Sequence, residues 1–572
     1  MSSNRHYFLV GSSDEPPRSK KGCIIASTSV IVLLACVMCF TVIYPSYDVL
    51  HQGGVHVVSP PSYVELCKLS RYPEFCISSL SSFVSDIQSV VKKDSHVGLV
   101  GKSMRAALKG VKELHYLSGL LHAGSQNRAN SAKVETREVA ALRDCVEVLG
   151  DASDLIHSAL EALSDFNQML SYAALWDIHT WVSASMTYHT TCIDGLDAFA
   201  GNSSDRLKLE GENVEKLLSI ALTFVVSLYS SPEEINLKYT TPPTWLKSDV
   251  ARHLEDPALF IGDVIVSKDG SGHYSKIQDA VDAAPIKSKK RYTIYIRGGV
   301  YLENVDVSKS KTNLMFVGDG IGQTIISGNK NVDDGATTFT SATVAVTGNG
   351  FLARDITFRN TAGAAKHQAV ALRVGADQAA FYKCSFEGYQ DTLYTHSQRQ
   401  FYRECMIYGT VDYIFGNAAA LFQDSTLLAR VPLAQQENTY TAQGRTDPNQ
   451  NTGLVFQGCV VDGDSNLRKV IQNFPTYLGR PWKEYSRTVF LKSYEGSVIN
   501  PAGWLEWAGD FALKTLFYGE YQCTGPGSGS AQRVSWSSQI TSQAVANQFT
   551  AGKFVSGDAW LPSTSFPFDS NL

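Results

Sequence analysis

Residues 381–388 read FYKCSFEG, residues 401–409 FYRECMIYG and residues 421–429 LFQDSTLLA, each copy starting twenty residues after the last. Related units recur as RDITFRN from Arg354 and FQGCVVDG from Phe456. A unit this short holds one apolar strand and cannot bury its own face, so successive copies must stack. The pattern predicts a solenoid whose turns lay their strands in parallel, a right-handed parallel β-helix. A β-sandwich would not require self-similar units at a near-constant step. Around this stretch the chain continues as short β-branched and aromatic runs, YTIYI at 292–296, LMFVG at 314–318, ATVAV at 342–346 and TVFL at 488–491, parted by turn residues. The all-β half is expected over residues 263–565.

Polar residues recur at nearly the same step. Gln368 lies 22 residues before Gln390, and Asp391 lies 21 before Asp412. Adjacent strands sit about 4.8 Å apart, so the spacing predicts Asp391 and Asp412 as neighbours on one face, with Gln368 and Gln390 beside them. A single such residue is better read as a turn cap; the shared spacing makes them a constellation. Two carboxyls that close cannot both ionise cheaply, so one is expected to hold a proton and the other to stay anionic. The amide N–H groups of Gln368 and Gln390 suit a carbonyl oxygen that becomes an oxyanion. Arg480, in LGRPW, has the planar fork to hold a carboxylate. Trp482, with Trp504 and Trp507 in GWLEW, could stack on sugar rings, although tryptophans are as often core residues.

With 572 residues the chain is long enough for two folded domains. Its net charge of -5 is too weak to argue for a polyanion-binding or membrane-surface protein, and no nucleic-acid partner is expected. Residues 60–230 show helical periodicity, as in Leu142, Val146, Leu149 and Leu155, Ile156, Leu160, Leu163, and predict a four-helix bundle. Residues 231–262, rich in Pro, Thr and charge, read as a linker. Near the start, residues 22–44 carry no charged side chain and are long enough to span a bilayer. Arg18, Lys20 and Lys21 precede them, which puts residues 1–21 in the cytosol and the rest in the lumen or outside. This predicts a transmembrane signal anchor, and with it a single-pass type II precursor entering the secretory pathway.

Cys23, Cys36 and Cys39 fall in that span. The other eight cysteines divide evenly, Cys67, Cys76, Cys145 and Cys192 in the helical half and Cys384, Cys405, Cys459 and Cys523 in the β half. In an oxidising compartment an even set reads as disulfides. Cys384 and Cys405, 21 apart, are expected in adjacent coils within bridging reach; the pairing of Cys459 and Cys523 is left open. No C-x-x-C pair suggests zinc, and neither metal nor organic cofactor is expected. Asn202-Ser203-Ser204 is a glycosylation sequon on the luminal side.

GVYLENV (299–305), HQAVALR (367–373), GYQDTLY (388–394), VDYIFGN (411–417) and LGRPW (478–482) resemble the signature segments of plant pectinesterases. The resemblance implies hydrolysis of the methyl esters of cell-wall homogalacturonan, with Asp412 as nucleophile, Asp391 as proton donor and Gln390 and Gln368 as oxyanion stabilisers. It implies Arg480, Trp482 and Thr338 as substrate contacts. Tyr413 stands where the family usually has Phe, and Tyr440 where Ile is common; each adds a hydroxyl, a change that bears on subsite preference or pH optimum. The helical half, through Cys67 and Cys76, ALRDC (141–145) and WVSASMTYHTTC (181–192), resembles the invertase and pectinesterase inhibitor family. That resemblance implies bridges Cys67–Cys76 and Cys145–Cys192, and a pro-region that holds the enzyme inactive during secretion until a processing protease cuts the linker. The linker offers only ARHLE (251–255) where a basic cleavage site is usual. No G-x-S-x-G or H-E-x-x-H occurs, which disfavours serine and zinc hydrolases. The rivals are a pectin-cleaving lyase or glycosidase on the same fold, and a non-catalytic binding protein.

Overall fold

A computed structural model describes residues 63–85, 96–132, 137–164, 170–197, 202–229, 235–236 and 262–572. The apolar span 22–44 and most of the linker lie outside them. Among the described residues no helix is long and apolar enough to cross a membrane.

Among the described residues the helical half holds two short helices, α1 (Tyr63–Lys68) and α2 (Pro73–Ser85), and four long ones: α3 (His96–Ala132), α4 (Arg137–Ser164), α5 (Tyr172–Asp197) and α6 (Asn202–Leu228). In α4 the side chains Leu142, Leu149, Ile156 and Leu163, spaced by seven, are all buried and form the stripe that faces the other helices. A six-residue helix such as α1 is too short to persist alone. The Cys67–Cys76 disulfide fastens it to α2, and Cys145–Cys192 ties α4 to α5. Asn202 is the first residue of α6. Within the expected linker, Ile235–Asn236 pairs in parallel with Leu170–Ser171, so the chain leaving the helices is held against the α4–α5 connection.

From Val264 onward the chain winds through three parallel sheets of eleven, eight and seven strands, each sheet taking strands in chain order. The seven-stranded sheet carries the functional residues. Its strands are β1 (Val305–Val307), β2 (Val344–Val346), β3 (Leu372–Val374), β4 (Leu393–Thr395), β5 (Ile414–Gly416), β6 (Thr441–Gln443) and β7 (Arg480–Pro481). Inside the coil, Phe381, Tyr402, Phe422, Phe456 and Phe490 stack with ring centroids 4.4–4.9 Å apart. This ladder corrects the twenty-residue alignment at one step, since Phe381 pairs with Tyr402 and not with Phe401, which pairs with Ala380. A one-residue slip would turn the inward ring outward, so burial sets the register.

Each coil turns one corner through a residue of positive φ, namely Asp355, Lys383, Glu404, Asp424, Gly458, Lys492 and Gln522. The residues that follow form a row, buried except at the half-buried Cys523, in which Cys405 donates its N–H to Ser425 and Cys459 to Ser493. Cys384, Cys405, Cys459 and Cys523 are free thiols, and the bridge expected between Cys384 and Cys405 is not formed. In-register side chains of stacked parallel strands project in the same direction, side by side, whereas a disulfide needs Cβ vectors aimed at each other. Their thiols point at backbone carbonyls instead, Cys405 at Phe381 and Cys459 at Phe422.

One end and one outer face of the solenoid are covered. The short helix Ile277–Ala283 buries Ile277, Ala280 and Val281, and its first N–H groups donate to the Glu303 carboxylate at 3.1–3.2 Å. Along the eleven-stranded sheet, Phe549, Phe554, Trp560 and Phe566 of the C-terminal segment cover its outer face.

Candidate active site

Asp391 and Asp412 sit at the turns that lead into β4 and β5, two residues ahead of the paired Leu393 and Ile414. Both have positive φ, 62° and 50°, a conformation that aspartate tolerates better than most side chains. The Asp391 N–H donates to the Val411 carbonyl at 3.1 Å, which fixes one turn directly upon the next.

Their surroundings differ. Arg480, on β7, donates from Nε to Asp412 Oδ1 at 2.8 Å and from Nη2 to Oδ2 at 2.6 Å. The Thr439 hydroxyl donates to Oδ1 at 2.6 Å and accepts the Asp412 backbone N–H at 2.8 Å. Three donors on one carboxyl form the pattern of an ionised acceptor. Asp391 has no such grip: burial, with the Asp412 charge adding to it and Arg480 opposing, pushes its carboxyl well above the usual range.

The floor of the groove is a row of outward-facing residues in register along the sheet: Ala345, Arg373, Tyr394, Phe415, Ala442 and Arg480. Strand alternation puts Leu372, Val374, Leu393 and Ile414 into the solenoid core and these neighbours outside. Tyr394 and Phe415 stack at 4.2 Å. Gln368, Gln390, Thr338 and Trp482 line the same cavity of about 580 Å³ as the two aspartates and Arg480. Thus the residues singled out from the sequence converge there. Gln390 Oε1 is buried without a hydrogen-bond partner. Of the other tryptophans, Trp507 lies under the Arg480 guanidinium at 4.5 Å, whereas Trp504 is a core residue that donates to Glu520. Among the described residues no cluster of three His, Cys, Asp or Glu side chains is arranged to hold a metal ion.

Sequence reasoning missed Thr439, which lies 27 residues after Asp412, one coil on, because that coil is longer than the 21- and 22-residue steps before it. It also missed the roof. Arg137 and Asp144 of α4 and Thr191, Asp194 and Gly195 of α5 line the cavity from above. Asp194 pairs with Lys483 at 2.6 Å, Thr191 bonds His396 at 2.8 Å, and Thr337 donates to Asp144. Farther out Lys309 meets Asp151 and Asp154, Arg399 meets Asp177, and Ser219 donates to Asp447. Phe339, Tyr394, Phe415 and Ala442 belong to the same buried apolar cluster as the helices. The resemblance to an inhibitor pointed to a covering role; no periodicity could specify these contacts, which join residues hundreds of positions apart.

A parallel β-helix that gathers an arginine-held aspartate and a buried second carboxyl in one groove has the layout of an enzyme site. Residues 263–558 match the pectinesterase family model, and residues 62–224 match the plant invertase/pectin methylesterase inhibitor model. Pectinesterase/pectinesterase inhibitor U1 of Solanum lycopersicum is 45% identical over 88% of both chains, and pectinesterase 2 of Arabidopsis thaliana 44% over 89% of both. The solved pectin methylesterase from carrot is 59% identical, with a TM-score of 0.54, over 55% of this chain and 98% of its own. That share is about what the solenoid occupies, so the carrot chain is a β-helix that stands without a helical half. The chain belongs to the pectinesterase family, and it is a carboxylic ester hydrolase that carries an inhibitor-like domain.

Proposed function

We propose that the chain demethylates homogalacturonan through an aspartyl acyl-enzyme. The carrying observation is the unequal environment of the two aspartates, one gripped by Arg480 and one buried and proton-seeking. Asp412 attacks the ester carbonyl carbon, and the oxygen that becomes negative is received by the amides of Gln368 and Gln390. The tetrahedral adduct collapses to an anhydride as Asp391 gives its proton to departing methanol. Asp391, now a carboxylate, takes a proton from water, which attacks the anhydride, frees the galacturonate carboxyl and restores both aspartates. Tyr394, Phe415, Trp482 and Trp507 offer apolar faces to the sugar rings, and Thr338 borders the same groove.

The helical half is the autoinhibitor in this reading. Its α4 and α5 roof the groove, and pairs such as Arg399 with Asp177 hold it there, with Asp377 of the solenoid fixing the guanidinium from behind. Release requires a cut in the linker and withdrawal of the helices. Residues 22–44 act as a signal anchor that carries the precursor into the secretory pathway and on to the cell wall. Asn202 is the glycan acceptor on that route.

The test is methanol release from highly methylated pectin by residues 262–572, measured together with polymer length. An esterase yields methanol with no new reducing or unsaturated ends; Asp412→Asn and Asp391→Asn each lower the rate by on the order of a thousandfold or more. Chain shortening, or aspartate variants as active as the parent, would refute the reading.

A further inference from the structure

Two inward rows of the solenoid end on a carboxyl. The stacked rings Phe381, Tyr402, Phe422, Phe456 and Phe490 are followed one rung on by Glu520. The row Phe386, Ile407, Leu427 and Val461 is followed by Glu495. Both glutamates are enclosed, 2% and 0% exposed, and one guanidinium serves them. Arg533 donates from Nη2 to Glu495 Oε2 at 2.8 Å and to Glu520 Oε2 at 2.9 Å, and from Nε to Glu520 Oε1 at 3.0 Å. Burial, with the Glu520 charge adding and Arg533 opposing, pushes the Glu495 carboxyl well above its usual range. Two carboxyls, one proton and one guanidinium make a neutral cluster. Closing a core does not call for such a group, since apolar side chains of similar volume do that as well or better.

The contacts of the cluster lead to the groove. Glu520 Oε1 also accepts the indole N–H of Trp504 at 3.1 Å. Gly503, at φ 75°, lies so close on Arg533 that a Cβ there would collide with its side chain. From these two residues the backbone clamps the chain just ahead of Arg480. The Gly503 carbonyl accepts the Leu478 N–H at 2.8 Å, and the Leu505 N–H donates to the Gly479 carbonyl at 3.0 Å. Two residues on, Trp507 lies under the Arg480 guanidinium. Strand β7, Arg480–Pro481, is two residues long and sits at the edge of its sheet, with β6 as its only strand neighbour. A strand so short and one-sided is held weakly by its ladder, and its placement falls to the 503–505 clamp on its flank.

We propose that Glu495, Glu520 and Arg533 are positioning residues for the ester hydrolysis: they seat Trp504 and the 503–507 loop, and that loop sets Arg480 against Asp412. This rests on the esterase reading and adds the support that its nucleophile needs. An arginine fork grips a carboxylate through two bonds only in one orientation, so a small shift of β7 turns the Asp412 carboxylate away from its line of attack. The cluster touches neither substrate nor reacting atoms and acts through Arg480 alone.

The experiment measures methanol release by residues 262–572 carrying Trp504→Phe, Glu520→Ala, Glu520→Gln or Arg533→Lys, each alone and together with Arg480→Lys. All are compared at a temperature at which circular dichroism shows them folded, and Trp504→Phe carries the test where a charge variant does not fold. Trp504→Phe and Glu520→Ala are expected to lower kcat by about ten- to a hundredfold, the cost of a misplaced reacting group, with a smaller change in KM. Glu520→Gln, which keeps an acceptor for the indole N–H, recovers part of the rate, and Arg533→Lys, which keeps the charge but not the fork, falls between. In the Arg480→Lys background each loss shrinks to about threefold or less, because the group being positioned is gone. Losses repeated in full in that background, or folded Trp504→Phe and Glu520→Ala variants with the parent's kcat, would overturn the positioning role while leaving the esterase reading intact. A parent that releases no methanol overturns both.

Discussion

Tyr413 shows how one atom can be out of place in a well-packed coil. Its ring is fully buried against Tyr440 at 5.3 Å, but its hydroxyl finds no hydrogen-bond partner, whereas Tyr440 donates to the Asp462 carbonyl at 2.7 Å. Both rings point into the solenoid and not into the groove, so the added hydroxyls bear on stability and not on subsites. An unmade buried hydrogen bond costs about 1–3 kcal/mol. Tyr413→Phe is therefore expected to stabilise the fold by about 1 kcal/mol, read as a shift of the unfolding midpoint; an unchanged or lowered midpoint would contradict this. Asp391 makes a second prediction at this scale. Its carboxyl, raised by burial and by the Asp412 charge, must be protonated to serve as the acid, and it loses that proton as pH rises. The kcat of residues 262–572 should hold to a pH well above the usual carboxylate range, about 4, and fall only beyond it. A basic limb near pH 4 would refute the assignment.

At the scale of elements, α4 is the hinge of the account. Asp144 is buried against Thr337 and its carboxyl is pushed up to about 6, chiefly by desolvation, with the hydrogen bond from Thr337 and the charges of Arg143 and Arg373 opposing and Glu147 reinforcing. Asp151 beside it is raised too, by burial, against the pull of Lys309. Undocked, Asp144 would titrate near about 4, so between about 4 and 6 the docked state binds more protons and docking weakens as pH rises. Below that window the contribution is complete; above it the loss is finished, on the order of 3 kcal/mol. Methanol release by the full chain should rise between pH 4 and 6 more steeply than that of residues 262–572, and Asp144→Asn should flatten the difference. Parallel profiles for the two proteins would exclude this role for α4. The corner row argues similarly from geometry. The 21-residue step put Cys384 and Cys405 in neighbouring coils, but spacing carries no information about the direction of a Cβ vector, so the absent bridge could not be read in advance.

Over the whole molecule, legibility follows the range of the interactions. The solenoid was readable because its repeat is local and recurs: one strand per unit, one corner per coil, and an inward ring at each step. The aspartates and glutamines were readable because periodic spacing turns sequence distance into spatial distance, whereas Arg480 was singled out by its side-chain chemistry and Thr439 lies beyond a longer coil that the step does not reach. Trp504 and Trp507, alike in sequence, separate into core and groove only when their coil is built. The seating of α4 and α5 on the groove was not legible in physical terms, since Asp194 with Lys483 or Thr191 with His396 join halves that share no period. In the proposed reading a two-aspartate esterase lies complete beneath its own helices, and one measurement tests this most directly. Methanol release from highly methylated pectin is compared for the full chain and for residues 262–572, each beside its Asp412→Asn twin. The account predicts a fast rate from residues 262–572, a much slower one from the full chain, and none above background from either twin. Equal rates from the two lengths would contradict the covering role of the helices, and an active twin would contradict the aspartate chemistry itself.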